Sequence, residues 1–292
     1  FYTDLWHALL GRKVVSDVDG CYLDQTSDFP RICRIPLSAS GKPLYNHHNF
    51  DAWWGSHWSL DILWSMAYPH LMDDFCNTML DMYRNGGLIP RGPSGGNYTY
   101  VMIGDPAVSF FATAYNKGIR NYDVDKAYEA VKKTLTTQGT ALSSGGIVGN
   151  RHLDVYLKYG FVPYGEKSHH NVFGTTYEGP TSNTLEYAFD DWNAAQFAKA
   201  LGYEEDYDYF TRRAYNYKNV FDSETKYVRP KYSDGTWMPD FEPINKDEHS
   251  TSWSWLGSGF VEGNSWQYTW MVPHDMNELV KMIGREEFNR RL

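Results

Sequence analysis

The sequence predicts an all-α protein whose helices are arranged as in an α/α toroid. Segments with helical spacing follow one another along the 292 residues, and each carries one apolar stripe. Loops rich in glycine and proline separate these segments. The sequence shows no alternation of strands and helices and no nucleotide-binding glycine fingerprint. Because the loops at one end of such a toroid surround a cleft, we expect a site built from loop residues and helix ends.

The helix boundaries follow from start and stop signals. The first predicted helical segment, residues 51–84, is divided at Pro69 and ends before Gly86. Asp123 is predicted to cap the third helix, and Ser182 is predicted to cap the fourth with Glu186 as the capping-box acid. The predicted helices cover residues 51–84, 106–117, 123–138, 182–201, 207–220, 276–283 and 286–292. Residues 92–96 are predicted to form a loop, and residues 227–237 a short strand pair around Asp234-Gly235.

Charge and hydropathy exclude several classes of protein. The chain has 27 Lys and Arg against 36 Asp and Glu, a net charge of −9, so no basic surface for nucleic acid is expected. No apolar run approaches the roughly 20 residues of a membrane span. The three cysteines fit neither a disulfide framework nor a zinc spacing. The adjacent pairs His47-His48 and His169-His170 lack the spacing of metal ligands, so they are weak candidates.

Aromatic residues make up 17% of the chain, and carboxylates accompany them at three places. Most of these rings belong in a core, but Trp and Tyr beside acids also favour carbohydrate binding. The first place is Trp53 to Trp64, where Asp61 lies within an aromatic helix. Asp61 either binds a ligand or is a helical acid facing solvent.

The second place is the predicted helix that begins near Ser182. Glu186 and Asp190 are four residues apart, so they share a helix face, and Asp191 follows. Like charges at this spacing disfavour a helix unless one is protonated or partnered. The alternative is that Glu186 caps the helix while Asp190 and Asp191 face solvent.

The third place is a Gly-flanked loop in which Glu262 precedes Trp266. A carboxyl group in a dry, aromatic-walled pocket has a raised pKa and stays protonated near neutral pH. Such a group can act as the general acid of glycoside cleavage. His274-Asp275 further along is either an ordered pair or a helix start capped by Asp275, and we favour the cap.

Several longer segments are shared, in order, with one known family. They are Phe1-Tyr2-Thr3, Asp17-Val18-Asp19-Gly20, Gly86-Gly87-Leu88-Ile89-Pro90, Met102-Ile103-Gly104-Asp105, Ala114-Tyr115-Asn116-Lys117-Gly118-Ile119, Asp125-Lys126-Ala127-Tyr128, Thr184-Leu185-Glu186-Tyr187-Ala188-Phe189-Asp190-Asp191-Trp192 and Glu262-Gly263-Asn264-Ser265-Trp266-Gln267-Tyr268. With them, the whole chain from residue 1 to 292 resembles the (α/α)6 catalytic domain of glycoside hydrolase family 92. That family comprises calcium-dependent, inverting exo-α-mannosidases.

The resemblance implies roles for the matching residues. Glu262 corresponds to the acid that protonates the leaving oxygen, and Asn264, Trp266 and Gln267 line or support its site. The acids expected to bind substrate or support the cleft are Asp61, Asp105, Glu186, Asp190 and Asp191. The resemblance also implies Ca²⁺, a hard cation that takes oxygen ligands.

The resemblance also implies that the chain is an interior part of the enzyme. The general base and most calcium ligands of the family lie beyond the position of Leu292, and a β-sandwich precedes the position of Phe1. A fragment with the acid alone is expected to be nearly inactive. In addition, Ser59-Leu60-Asp61 stands where many members have Ser-Leu-Trp-Asp.

The sequence therefore predicts an exo-α-mannosidase that removes terminal mannose from glycans or mannan. Two alternatives are a toroid glycosidase for another sugar and a non-catalytic carbohydrate-binding protein. Because polymeric glycans stay outside cells, an extracellular or periplasmic location is expected.

Overall fold

The computed structural model describes residues 1–50, 53–99, 102–141, 147–166, 179–244, 256–257 and 259–292. The chain divides into two compact units. The first holds Phe1–Asn150 with Gln196–Glu204, and the second holds Arg151–Ala195 with Glu205–Leu292. Helices predominate in both, which confirms the predicted predominantly helical fold. The closure of these helices into a toroid stays a prediction.

The described part of the first unit contains an aromatic core and five complete α-helices. They are α1 (Tyr2–Leu9), α2 (Leu60–Ala67), α3 (Pro69–Gly86), α4 (Pro106–Asn116) and α5 (Val124–Thr136). Pro69 opens α3, which confirms the predicted break. The Asp123 carboxylate accepts the Lys126 N–H at 3.0 Å, which confirms the predicted cap of α5. Between these helices, the ring of Trp53 packs edge-on against Phe110, with centroids 4.5 Å apart.

Short antiparallel strand pairs accompany these helices. The strands of the first unit are β1 (Lys13–Val14), β2 (Cys21–Asp24), β3 (Arg31–Arg34), β4 (His48–Asn49), β5 (Thr140–Ala141) and β6 (Ile147–Val148). β1 pairs with β4, β2 with β3, and β5 with β6. In the β2–β3 hairpin, which the sequence did not predict, Arg31 Nε donates to the buried carboxylate of Asp24 at 3.0 Å.

The second unit combines helices with small hairpins. Its elements are α6 (Leu153–Tyr159), α7 (Pro180–Leu201), α8 (Glu204–Ala214), α9 (Ser265–Tyr268), α10 (Met276–Ile283), α11 (Arg285–Arg291), β7 (Phe221–Asp222), β8 (Tyr227–Val228), β9 (Leu256–Gly257) and β10 (Phe260–Val261). Both α7 and α8 also contribute residues to the first unit. β7 pairs with β8, and β9 with β10.

The start of α7 corrects one sequence prediction. Helix α7 begins at Pro180, so Ser182 lies inside the helix and does not cap it. The Ser182 hydroxyl donates to the carbonyl of Gly179 at 2.8 Å and accepts the N–H of Val261 at 3.2 Å. The Gly259 carbonyl in turn accepts the N–H of Thr181 at 3.0 Å. The first turn of α7 is therefore tied to strand β10.

Two other predicted boundaries differ from the structure. The predicted helix 207–220 begins at Glu204, ends at Ala214 and is followed by a 3-10 turn over Asn216–Val220. Tyr227–Val228 pairs with the preceding Phe221–Asp222, and the pairing around Asp234 is limited to one bridge between Lys231 and Trp237 with its flanking backbone hydrogen bonds. Asp51, the predicted first residue of the first helix, lies outside the described residues, and α2 begins at Leu60.

A membrane-spanning segment is not found among the described helices, since none of them is both long and apolar enough to cross a bilayer.

Candidate active site

Glu262 lies in the turn between β10 and α9 and has an unusual backbone. Its φ of +51° is in the left-handed region, which is uncommon for a residue with a side chain. Such a conformation costs on the order of 1 kcal/mol and is found most often at functional sites. The Glu262 side chain is exposed. The turn therefore presents this carboxyl group to solvent.

A capping box holds the turn that carries Glu262. The Asn264 side chain accepts the N–H of Gln267 at 3.1 Å, and the Gln267 side chain accepts the N–H of Asn264 at 3.1 Å. A Cβ atom at Gly263 would lie 3.0 Å from both Gln267 Oε1 and Tyr268 Cε2, a tight contact that these side chains would have to relieve by moving. Asn264 and Gln267 thus position Glu262 through the backbone.

Among the residues that the structure describes, no dry, aromatic-walled pocket encloses Glu262, so that part of the expectation stays a prediction. The Glu262 side chain is exposed, and the neighbouring Trp266 is 41% exposed. Trp266 is the second residue of α9, and its backbone N–H donates to the carbonyl of Pro243 at 3.0 Å. The Trp266 indole is therefore partly open to solvent, four residues after Glu262.

Tyr268 is a buried tyrosine of α9 that braces the turn of Glu262. Its hydroxyl donates to the carbonyl of Val261, the residue before Glu262, at 2.7 Å. Burial raises the pKa of Tyr268, and the negative charges of Glu186 and Glu262 raise that pKa further. Local sequence signals did not indicate a role for Tyr268, although it lies one helical turn after Asn264.

The acids on α7 do not face solvent. Glu186 is 5% exposed and Asp190 is 2% exposed, and their spacing places both on the same face of α7. The alternative in which Glu186 caps the helix and Asp190 faces water is therefore wrong. The two carboxylates are therefore buried one helical turn apart within the second unit.

Asp191 belongs to a buried ion pair in the second unit. Arg213 Nε donates to Asp191 Oδ2 at 3.0 Å, and Arg213 Nη2 lies 2.7 Å from Asp191 Oδ1. The hydroxyl of Tyr156 donates to the same carboxylate at 2.8 Å. Burial raises the pKa of Asp191 to about 6, and Arg213 limits the rise. These contacts give Asp191 a structural role in the second unit, and its part in supporting the cleft stays a prediction.

His274 and Asp275 also serve the structure. Asp275 makes no side-chain cap hydrogen bond at the start of α10, so the predicted cap is wrong. Its carboxylate accepts the hydroxyl of Tyr217 at 2.8 Å. The ring of His274 packs beside Trp192 and its Nε2 lies 2.9 Å from the carbonyl of Ala214.

Asp61 and Asp105 lie in the first unit, and both are buried. Asp61 on α2 is 1% exposed, so the alternative of a solvent-facing acid is wrong. Burial raises the pKa of Asp61 to about 7, against the opposing effects of Ser56 and Arg12. Burial also raises the pKa of Asp105 to about 7. The positive charge of Arg91 opposes this increase. Arg91 itself donates to the carbonyl of Gly104 at 2.8 Å, beside Asp105.

The raised pKa of Asp61 predicts a pH-dependent stability. Between the ordinary pKa of 3.8 and the folded value of about 7, the folded protein holds a proton on Asp61 that the unfolded chain releases. The free energy of unfolding therefore falls as pH rises through this window. Asp61→Asn is expected to remove this part of the slope, as measured by urea denaturation at pH 5 and pH 8. An unchanged slope would contradict the buried, protonated state of Asp61.

The described residues do not assemble a metal site. Within the ranges that the structure describes, no group of three or more His, Cys, Asp or Glu side chains could hold a metal ion. His47 is buried, and burial lowers its pKa to about 4. His169-His170 lies outside the described residues. These residues by themselves therefore do not fit a calcium ion.

The motif that carries Glu262 is part of a match that extends over the chain. The family model described as the glycosyl hydrolase family 92 catalytic domain matches residues 1–292. The chain belongs to glycosyl hydrolase family 92. The match includes both compact units, and therefore every candidate residue discussed above.

Solved structures of family 92 resemble the chain closely. A family 92 α-mannosidase from Bacteroides thetaiotaomicron is 30% identical, with a TM-score of 0.82 over 100% of this chain and 34% of its own. The same enzyme in complex with mannoimidazole is matched at 29% identity and a TM-score of 0.81, over 100% of this chain and 34% of its own. An inverting family 92 mannosidase from strain VPI-5482 of that organism is 26% identical, with a TM-score of 0.82 over 100% of this chain and 35% of its own.

A curated relative also matches. An uncharacterized secreted glycosidase from Arthroderma benhamiae is 28% identical over 246 residues, which cover 79% of this chain and 31% of the relative. The chain thus spans about a third of the length of the relatives that it matches.

Proposed function

We propose that the protein containing this chain is an exo-α-mannosidase in which Glu262 is the general acid. The observation that carries the proposal is the turn at Glu262. A strained backbone, fixed by the Asn264–Gln267 capping box, presents an exposed carboxyl group to solvent. Membership of family 92 and the α-mannosidase structures among its relatives support the choice of substrate.

Glu262 would protonate the oxygen of the leaving sugar as the glycosidic bond breaks. Its exposed position lets a large glycan approach and lets the carboxyl group regain its proton from water. Trp266 would offer its open indole face to a sugar ring. An inverting reaction also needs a second carboxylate, which activates water from about 6.5–9.5 Å away. The family resemblance assigns that base to residues beyond the position of Leu292.

Trp266→Ala is expected to lower activity with little loss of stability. Because Trp266 is 41% exposed, its replacement should cost much less than the roughly 3–5 kcal/mol of a buried tryptophan. Kinetics with mannobiose and thermal denaturation of the same samples would check this. A loss of several kcal/mol would show instead that Trp266 belongs to the core of the complete protein.

Calcium dependence is part of the proposal and rests on the family resemblance. Since the described residues contain no three-ligand group, the ion would be held largely by other residues of the protein. Chelation by EDTA is expected to abolish hydrolysis of an aryl α-mannoside by the full-length protein, and Ca²⁺ should restore it. Hydrolysis that persists in EDTA would contradict calcium dependence but leave Glu262 as the acid.

A panel of aryl glycosides tests the choice of sugar. The full-length protein is expected to hydrolyse the α-mannoside and to leave the corresponding glucosides and galactosides intact. Hydrolysis of another sugar alone would favour a different glycosidase on the same fold. Mannose binding without hydrolysis of any glycoside would favour a carbohydrate-binding protein. The secreted relative supports action outside the cell.

A further inference from the structure

Val261, the residue before Glu262, is held at both of its backbone polar groups by side-chain hydroxyls. Its carbonyl accepts the hydroxyl of Tyr268 at 2.7 Å, and its N–H donates to the hydroxyl of Ser182 at 3.2 Å. All three residues are buried. We call these two hydroxyls and the Val261 backbone between them the hydroxyl clamp. Because Ser182 lies on α7 and Tyr268 on α9, the clamp joins the two helices at this residue.

The hydroxyl clamp fixes the peptide plane from which the φ angle of Glu262 is measured. The carbonyl of Val261 lies in the same planar unit as the N–H of Glu262, so the bond from Tyr268 sets the orientation of both groups. On the other side, the N–H of Asn264 is bonded to the Gln267 side chain. Both ends of the turn are therefore fixed. This arrangement holds the φ of +51° at a residue that would otherwise prefer a negative value.

Gly179 makes room for the hydroxyl clamp at the start of α7. The Ser182 hydroxyl donates to the carbonyl of Gly179 at 2.8 Å while it accepts the N–H of Val261. A Cβ atom at Gly179 would lie 2.5 Å from both Ser182 Oγ and Val261 Cγ2, and 2.9 Å from the backbone nitrogen of Val261. Because that nitrogen belongs to the backbone, the contact could be relieved only by moving Val261. Glycine therefore lets Ser182 reach Val261.

The Tyr268 hydroxyl is kept protonated and in place. Burial raises the pKa of Tyr268, so the phenol stays protonated, and remains a donor, around neutral pH. The short helix α9 that contains Tyr268 is anchored to strand β8 by two further hydroxyls. The Ser265 hydroxyl donates to the carbonyl of Val228, and the Thr269 hydroxyl accepts the N–H of Val228 at 3.1 Å. The clamp is therefore attached to a fixed part of the second unit.

We propose that Tyr268 and Ser182 are positioning residues, which hold the carboxyl group of Glu262 where it protonates the leaving oxygen. This inference rests on the proposed function, because the clamp affects the reaction only if Glu262 is the acid. A general acid must lie within hydrogen-bond distance of the atom that it protonates. A displacement of about 1 Å can lower the rate by about 100-fold. Since the Glu262 side chain is exposed, packing supports it little, and its position depends on the backbone.

The test compares two substrates of the full-length protein. Tyr268→Phe removes the hydroxyl and keeps the ring, and it is expected to lower kcat for α-linked mannobiose about tenfold with KM within about twofold. An aryl α-mannoside with a strongly acidic phenol needs no protonation, so its kcat should stay within about twofold. Ser182→Ala should show the same selectivity. Equal losses on both substrates, or no loss on mannobiose, would overturn the positioning role.

Tyr98→Phe is the matched control for the loss of a buried tyrosine hydroxyl. The Tyr98 hydroxyl donates to the carbonyls of Met82 at 2.8 Å and Leu88 at 2.7 Å, in the first unit. The substitution should lower the urea midpoint, as Tyr268→Phe does, but leave the ratio of kcat for the two substrates unchanged. The same change of ratio in both variants would show a general effect of lost stability and overturn the proposal.

A double-mutant cycle shows whether Tyr268 acts through Glu262. In the Glu262→Gln protein, Tyr268→Phe should change kcat for mannobiose by less than about twofold, because no acid is left to be positioned. A further tenfold loss in that background would overturn the positioning role. Wild-type kcat in Glu262→Gln alone would instead overturn the proposed function, before the cycle is completed.

Discussion

Glu262→Gln in the full-length protein is expected to lower kcat for mannobiose by about 10²–10⁴-fold. This is the usual contribution of a general acid to a reaction whose leaving group needs a proton. Glutamine keeps the size of the side chain and cannot donate an acidic proton. Because the Glu262 side chain is exposed, the change should not disturb the fold. Steady-state kinetics with mannobiose would measure the loss.

Binding and stability provide the controls for this variant. The affinity for mannobiose, measured by calorimetry, should stay within about twofold, since the acid acts mainly in the transition state. Glu224→Gln, which alters an exposed glutamate elsewhere in the second unit, should keep full activity. A Glu262→Gln protein with wild-type kcat would exclude this residue as the acid.

Asp191→Ala is expected to destabilise the protein by about 3–5 kcal/mol. The substitution leaves the guanidinium of Arg213 buried without its partner, and such uncompensated charges are costly. The hydroxyl of Tyr156 also loses its acceptor. Urea denaturation of the full-length protein would measure the change in the free energy of unfolding.

Two further variants show whether the loss comes from the unpaired charge. Replacing both partners together, as in Asp191→Leu with Arg213→Leu, should recover part of the stability because no buried charge remains. Glu278→Gln, which alters the largely exposed pair with Lys281, should have a small effect. A cost of only about 1 kcal/mol for Asp191→Ala, typical of a surface pair, would contradict the structural role of Asp191.

Local sequence signals predicted the helix ends that are determined by residues within one turn of the end. Pro69 and Asp123 act within one turn of their own positions, and the structure confirms both. Ser182 was misassigned because its hydroxyl bonds to Gly179 and to Val261, which is 79 residues away. A contact between residues so far apart in the sequence cannot be recognised from a local sequence pattern. The β2–β3 hairpin was missed for a related reason, since its connection lacks an Asn-Gly or Asp-Gly turn.

The candidate site was predicted in part. The sequence and its family resemblance identified Glu262, Asn264 and Gln267, whose spacing forms the capping box. The sequence did not reveal that the turn is exposed, because burial depends on the packing of distant segments. The spacing of Asp190 and Asp191 did not indicate which partners these side chains have in the folded protein. The partner of Asp191, the buried Arg213, lies 22 residues away in the sequence.

The dependence of kcat/KM on the acidity of the leaving group shows whether Glu262 is the general acid. A series of aryl α-mannosides with phenols of different acidity would be compared for wild type and Glu262→Gln. We expect a shallow dependence for wild type, because the acid protonates poor leaving groups, and a steep one for the variant, which must release them unprotonated. Parallel lines, with both proteins equally sensitive to the leaving group, would contradict the assignment of Glu262.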